Sequence, residues 1–129
     1  MKVLILGGYG VFGGRLAELL SDIPTLELLI CGRNHKRAQA FCDGYRGETR
    51  VSPLALDRAE LGTHLSILRP DLVVDASGPF QAYGAQRYSV IEACIAAKVD
   101  YLDFADGADF VFGVSQFDAG AREAGVFVL

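Results

Sequence analysis

Basic residues are few and scattered. Lysine and arginine number 12 against 16 aspartates and glutamates, for a net charge of −4. Their densest group is only Arg33, Lys36 and Arg37, which argues against a nucleic-acid-binding face. Cysteine is sparse too. Cys31, Cys42 and Cys94 are odd in number, form no CxxC pair and have no histidine at zinc-finger spacing, so they read as reduced thiols with packing roles. No apolar run approaches the ~18 residues of a membrane span. The N-terminus has neither the charged region nor the cleavage site of a secretory signal. Met1-Lys2 leads straight into an apolar run, as expected at the natural start of a cytoplasmic protein. Low-complexity segments and internal repeats are absent as well, which excludes solenoids and disordered linkers.

What is present is an ordinary globular composition, 51% hydrophobic and 22% charged over 129 residues. That length suits one domain able to bury about two-thirds of its unfolded surface. Apolar runs alternate with helix-period segments. Val3–Leu6 is a continuous apolar run, typical of a strand buried on both faces, and Leu72–Asp75 reads as a fourth strand. Leu26–Cys31 reads as a second strand and Arg50–Leu56 as a third, with Pro53 favouring an edge position. Tyr101–Phe104 and Val126–Leu129 complete six predicted strands. Between them, helices are predicted over Val11–Ile23 (stopped by Pro24), residues 35–43 (capped by Asn34), Arg58–Leu68, Tyr83–Ala97 and Ser115–Glu123. Short connections between alternating strands and helices specify an α/β fold, a doubly wound parallel sheet covered on both faces in three layers. A chain that stops in its last strand is expected to be a fragment of a longer protein.

Five glycines crowd the first strand–helix junction, "GGYGVFGG". Gly8-Tyr9-Gly10-Val11-Phe12-Gly13 is a GxGxxG motif, weak alone but here following a buried strand and opening a helix. In that context Gly8 is expected to make the tight turn. Gly10 would admit a pyrophosphate to the backbone, and Gly13 would let helix and strand pack closely. The helix N-terminus would add free N–H groups and a partial positive charge.

The end of the second strand chooses between dinucleotides. A carboxylate there would bind the ribose 2′-hydroxyl of NAD, whereas an arginine accommodates the 2′-phosphate of NADP. The sequence has Cys31-Gly32-Arg33-Asn34, and Asp22 and Glu27 come too early. NADP is therefore favoured over NAD, through the planar guanidinium of Arg33. The blander reading of Arg33 is a solvated charge at a helix entry.

The segments "GGYGVFG", "CGRN" and above all "SGPFQAYG…VIEACIAAKVDYLDFADG" together resemble the NADP-binding domain of the saccharopine dehydrogenase family. The last segment is the specific one, with Gly78-Pro79-Phe80, Tyr83-Gly84 and Tyr101-Leu102-Asp103. The resemblance covers essentially the whole chain and implies a Rossmann fold with strand order 3-2-1-4-5-6. It implies that Gly8, Tyr9, Gly10, Val11 and Phe12 lie along the pyrophosphate. Arg33 would lie beside the 2′-phosphate, with Asn34 among the cofactor-binding residues. Asp57 would lie near the adenine, and Ser77, Gly78, Pro79 and Phe80 would border the nicotinamide-side ribose. Asp57 is read equally well as a helix cap.

The implied activity is hydride transfer between NADP(H) and an amino-acid, imine-type or related small substrate. Its substrate-binding groups would come from a second domain outside this chain, so no catalytic residue is assigned. The terminal strand is expected to expose apolar area or an unpaired edge where the chain can self-associate. Two other function classes stand beside this one. The first is a non-catalytic dinucleotide sensor. The second is an S-adenosylmethionine methyltransferase, against which Arg33 argues because such enzymes usually carry an acid at that point. Asp103, Asp106 and Asp109 lack calcium-loop spacing and read as turn and cap residues. His35 and His64 read as surface residues, Tyr83 and Tyr88 as half-buried helix packing.

Overall fold

The computed structural model describes residues 1–129. Its sheet has five parallel strands: β1 (Lys2–Leu6), β2 (Glu27–Gly32), β3 (Arg50–Ala55), β4 (Leu72–Asp75) and β5 (Asp100–Asp103). Their spatial order is β3-β2-β1-β4-β5. Connecting them are α1 (Val11–Leu19), α2 (His35–Gly44), α3 (Leu61–Leu68) and α4 (Ser89–Ala97). After β5 come α5 (Ala108–Gly113) and α6 (Asp118–Ala124).

Side chains alternate across the sheet because successive residues of a strand point to opposite faces. Val3, Ile5, Leu28, Ile30 and Val74 form one buried cluster with Ala17 of α1. Leu4, Leu6, Leu29, Cys31 and Val73 belong to the other, with Leu61 and Leu65 of α3 and Ile91 and Cys94 of α4. Both faces of the central strands are thus dry, which is why those strands read as continuous apolar runs. Pro53 sits on edge strand β3, as its missing N–H requires.

Four local readings change in the structure. The predicted sixth strand lies beside β5, where expected, but closes only one parallel bridge, Tyr101 to Val128. Phe127 and Leu129 remain 47% and 76% exposed on that edge. The first helix stops at Leu19 rather than Ile23, because the Ser21 carbonyl accepts from the Glu48 and Thr49 amides instead of continuing the helix. The helix after β4 starts at Ser89, since Gly84 (φ 52°, ψ −126°) breaks the preceding 3-10 turns at Phe80–Gln86. Helix α5 was not anticipated, because at six residues it is too short to display a helical period.

All three cysteines are free. Burial pushes the Cys31 and Cys94 thiols up to about 12, so neither ionises at any pH where the fold is expected to persist. Only Cys42 is partly exposed. Titration of the native protein with a disulfide reagent at pH 8 should therefore modify one thiol, and denaturant should release the other two. Rapid modification of more than one native thiol would contradict this packing.

Candidate functional site

The strand order reverses between β1 and β4, whose connections leave on opposite sides of the sheet. Open parallel sheets form a crevice at such a point, outside the carboxyl ends of the strands. A cleft of about 510 Å³ lies there, within the usual range for small-molecule sites. Its walls come from the loop after β1, the start of α2, the turn after β3 and the segment after β4.

Each glycine of the first loop has its own reason to lack a side chain. Gly7, not Gly8, makes the turn. Its φ is +70°, and a Cβ there would lie 2.6 Å from the Ala76 carbonyl oxygen of the β4 exit. The Gly10 N–H then donates to the Gly7 carbonyl at 2.8 Å. Gly8 is pressed on the sheet instead, where a Cβ would lie 2.9 Å from the Ile5 carbonyl oxygen of β1 and 3.1 Å from the Cys31 nitrogen and the Ile30 Cα of β2. A Cβ on Gly13 would overlap the Gly7 carbonyl oxygen and come within 2.9 Å of the Gly8 Cα. Gly13 therefore sets how closely α1 approaches β1.

Gly10 differs from these three. It lines the cleft, its backbone is extended (φ −80°, ψ −178°), and the Gly7 carbonyl oxygen is the one atom near its Cβ position, at 3.0 Å. The working pattern is thus Gly7-x-x-Gly10-x-x-Gly13, with Gly8 serving the sheet.

Beyond Gly10, the amides of Val11, Phe12 and Gly13 have no backbone acceptor, and the first α1 bond runs from Gly14 to Gly10 at 2.8 Å. These orphan donors and the helix dipole suit an anion. The side chains of Val11 and Phe12 do not join the cleft. They are 85% and 67% exposed on its outer side, where Phe12 stacks on Phe104 at 6.1 Å.

The far end of the cleft is cationic. Arg33 and Arg37 line it, and neither has an acidic partner. Tyr9 organises this corner. Its ring lies against Gly32, where a Cβ would be 2.5 Å from it, and its hydroxyl accepts the Asn34 N–H at 3.0 Å. The Arg37 guanidinium stands 5.0 Å from the Tyr9 ring centroid, within cation–π range. Asn34 is not among the residues that line the cleft; it caps α2, its Oδ1 accepting from the Arg37 N–H at 3.1 Å. The Asp57 carboxylate accepts the Ala59 N–H at 2.9 Å as a cap, and Asp57 lines the cleft.

On the β4 side, Ser77, Gly78 and Pro79 line the cleft, but Phe80 does not. Phe80 is 3% exposed and packs against Phe110 at 4.9 Å. The apolar ring gains more from this core than from a wet cleft. Tyr83, expected as half-buried helix packing, does pack half-buried against the core, though from 3-10 turns, and it also lines the cleft and donates its hydroxyl to the Ser77 carbonyl at 2.6 Å.

Beneath this wall lies a buried ion pair, Arg58 Nε to Asp75 Oδ2 at 2.9 Å. An aspartate ending a buried apolar strand needs such a partner, and that was the signal in the sequence. Asp103 faces the same region. Burial raises its carboxyl above the usual range, although the Ala105 N–H opposes this. No group of three His, Cys, Asp or Glu residues could hold a metal ion. No helix is long and apolar enough to cross a membrane.

The donor set fits a dinucleotide: free amides at a helix start, a glycine without a side chain beside them, and unpaired arginines at one end. Comparison with known proteins agrees. A family model described as the saccharopine dehydrogenase NADP binding domain matches residues 3–129. Among curated proteins, none matches the sequence.

Among solved structures, apo saccharopine dehydrogenase (L-Glu forming) from Saccharomyces cerevisiae superposes with a TM-score of 0.70 at 18% identity, over 98% of this chain and 26% of that one. Yeast methylglyoxal/isovaleraldehyde reductase Gre2, solved with NADPH, also gives 0.70, at 11% identity over 99% of this chain and 52% of that one. An oxidoreductase of the short-chain dehydrogenase/reductase family from Burkholderia thailandensis gives 0.67 at 18% identity, covering 98% of this chain and 66% of that one. At such identities the structural likeness is one of fold. The chain spans about a quarter of the saccharopine dehydrogenase it matches.

Proposed function

The chain belongs to the family of saccharopine dehydrogenase NADP-binding domains, and from that premise we propose that its cleft holds NADP(H) for hydride exchange with an amino-acid, imine-type or related small substrate. The nicotinamide, when bound, supplies the hydride chemistry, while the protein supplies binding, orientation and electrostatics. Groups that bind the substrate would come from polypeptide outside these 129 residues. In keeping with the free cysteines, the proposed setting is the cytoplasm. Membership of a dehydrogenase family leaves no support for the methyltransferase alternative.

The observation that carries this reading is the pairing of free α1 amides with an unpaired cationic corner at the end of β2. Val11, Phe12 and Gly13 would receive the pyrophosphate on their N–H groups. Arg33 would take the 2′-phosphate, with Arg37 beside it on the Tyr9 ring. Strand β2 ends in Gly32, with no carboxylate to hold a free ribose 2′-hydroxyl.

Titration calorimetry tests the cofactor preference. A charge-assisted contact to phosphate contributes roughly 1.5–3 kcal/mol, so NADPH should bind at least ~10-fold more tightly than NADH. Arg33→Ala should remove most of that difference while leaving NADH affinity nearly unchanged. Equal affinities for the two cofactors in the unmodified chain would overturn the assignment of Arg33. Substrate-dependent NADPH oxidation by the 129-residue chain alone would overturn the proposed division of labour.

A further inference from the structure

The segment between β4 and α4 forms one wall of the cleft, yet it contains only 3-10 turns and a glycine-broken kink at Gly84. Such a segment needs something else to hold its shape. Arg58 reaches it from the turn after β3. Its Nε donates to Asp75, one NH2 group donates to the Gln86 carbonyl at 3.2 Å and the Ser89 hydroxyl at 3.3 Å, and the other donates to the Arg87 carbonyl at 2.8 Å. A guanidinium has five N–H donors, and these contacts occupy most of them. The side chain is only 8% exposed. Arg58 is therefore poorly placed to bind phosphate, although it lines the cleft.

The contacts close a ring. Asp75, fully buried, also accepts the Ser77 N–H at 3.1 Å and the Ser77 hydroxyl at 2.5 Å. The Ser77 carbonyl accepts the Tyr83 hydroxyl at 2.6 Å. The Tyr83 ring in turn lies under the Arg58 guanidinium, 4.1 Å from its centroid. Arg58, Asp75, Ser77 and Tyr83 thus restrain one another. Three of them line the cleft, and Ser77 and Tyr83 do so from the segment after β4, on the side opposite Arg33.

The geometry points to Arg58 as a positioning residue for the nicotinamide half of the site. Through this ring it holds Ser77 and Tyr83 in the wall against which that half of the cofactor rests. The inference builds on the dinucleotide reading above. It adds that the two halves of the cofactor depend on separate parts of the chain, the adenosine half on the Arg33 corner and the nicotinamide half on Arg58. Lysine cannot replace Arg58, because a point charge cannot span a carboxylate, two carbonyls and an aromatic face at once.

The test compares NADPH with adenosine 2′,5′-bisphosphate, which carries the adenosine half alone. Their dissociation constants are measured on the unmodified chain and on Arg58→Lys, with nicotinamide fluorescence recorded for bound NADPH. Arg58→Lys should weaken NADPH at least ~10-fold, as expected for lost hydrogen bonds to charged groups. It should leave the bisphosphate within about twofold and reduce the fluorescence change on binding. Tyr83→Phe, which removes one hydroxyl and keeps the ring, should shift NADPH in the same direction by a smaller factor. It provides the measurement if Arg58→Lys fails to fold. Parallel loss of both ligands, or no loss of NADPH in either variant, would overturn the positioning role. If the unmodified chain binds the bisphosphate but gains nothing from the nicotinamide half, this inference falls and the Arg33 assignment stands. If it binds neither ligand, the dinucleotide reading falls and takes this inference with it.

Discussion

Gly10→Val is expected to abolish measurable NADP(H) binding, a loss of at least ~100-fold, while leaving the domain folded. The backbone of Gly10 is extended, at φ −80° and ψ −178°, so a side chain brings no left-handed strain. Its Cβ would meet only the Gly7 carbonyl oxygen, at 3.0 Å, which a small shift relieves. The remaining side-chain atoms would enter the cleft beside the Val11–Gly13 amides. Several charge-assisted hydrogen bonds, each worth roughly 1.5–3 kcal/mol, would be lost together. Circular dichroism and a thermal melt check the fold, and calorimetry checks the binding. Unchanged affinity in a folded variant would mean that the loop is only a turn.

Gly13→Val is expected to do the reverse and strike at stability first. Its Cβ would overlap the Gly7 carbonyl oxygen and crowd the Gly8 Cα at 2.9 Å, and neither is a side chain that can swing away. Helix α1 would have to lift from β1, opening the contacts around Ala17, which is fully buried against Ile5 and Ile30 in the same cluster. Overpacking against backbone of this kind should cost at least ~3 kcal/mol, against a total stability of roughly 5–15 kcal/mol. The melting temperature should fall by about 10 °C or more. A Gly13→Val protein that melts like the unmodified one would show that α1 and β1 are not packed as described. The two variants sit three residues apart in one loop, so opposite outcomes separate the glycine that clears the ligand from the glycine that seats the helix.

Much of this protein was legible in its sequence because the relevant signals are local. The run Val3–Leu6 marked a strand dry on both faces, Leu72–Asp75 marked another strand, and helical periods marked the layers that cover them. Pro53 marked an edge. Glycines between a strand and a helix, followed by an arginine where an acid would otherwise stand, pointed to a dinucleotide and to NADP. Each of these is read from a short stretch, the glycine loop and Arg33 being two such stretches joined by a fixed offset of about 20 residues.

What only the tertiary structure decided are pairings across sequence distance. The turn belongs to Gly7 because the β4 exit at Ala76 passes against it, and Gly8 is a glycine because the Ile5 carbonyl of β1 and the backbone of β2 both crowd it. Phe80 turned inward because Phe110, on an unanticipated helix, offered it a dry partner. Tyr83 turned toward the cleft because the Ser77 carbonyl and the Arg58 guanidinium hold it there. Arg58 and Asp75 carry no short-range pattern that joins them, and only the packing of the turn after β3 over the end of β4 brings them to 2.9 Å. Periodicity reports which face of an element is buried. Which buried polar group meets which is settled only when the elements pack, because desolvation then leaves each of them to find a partner.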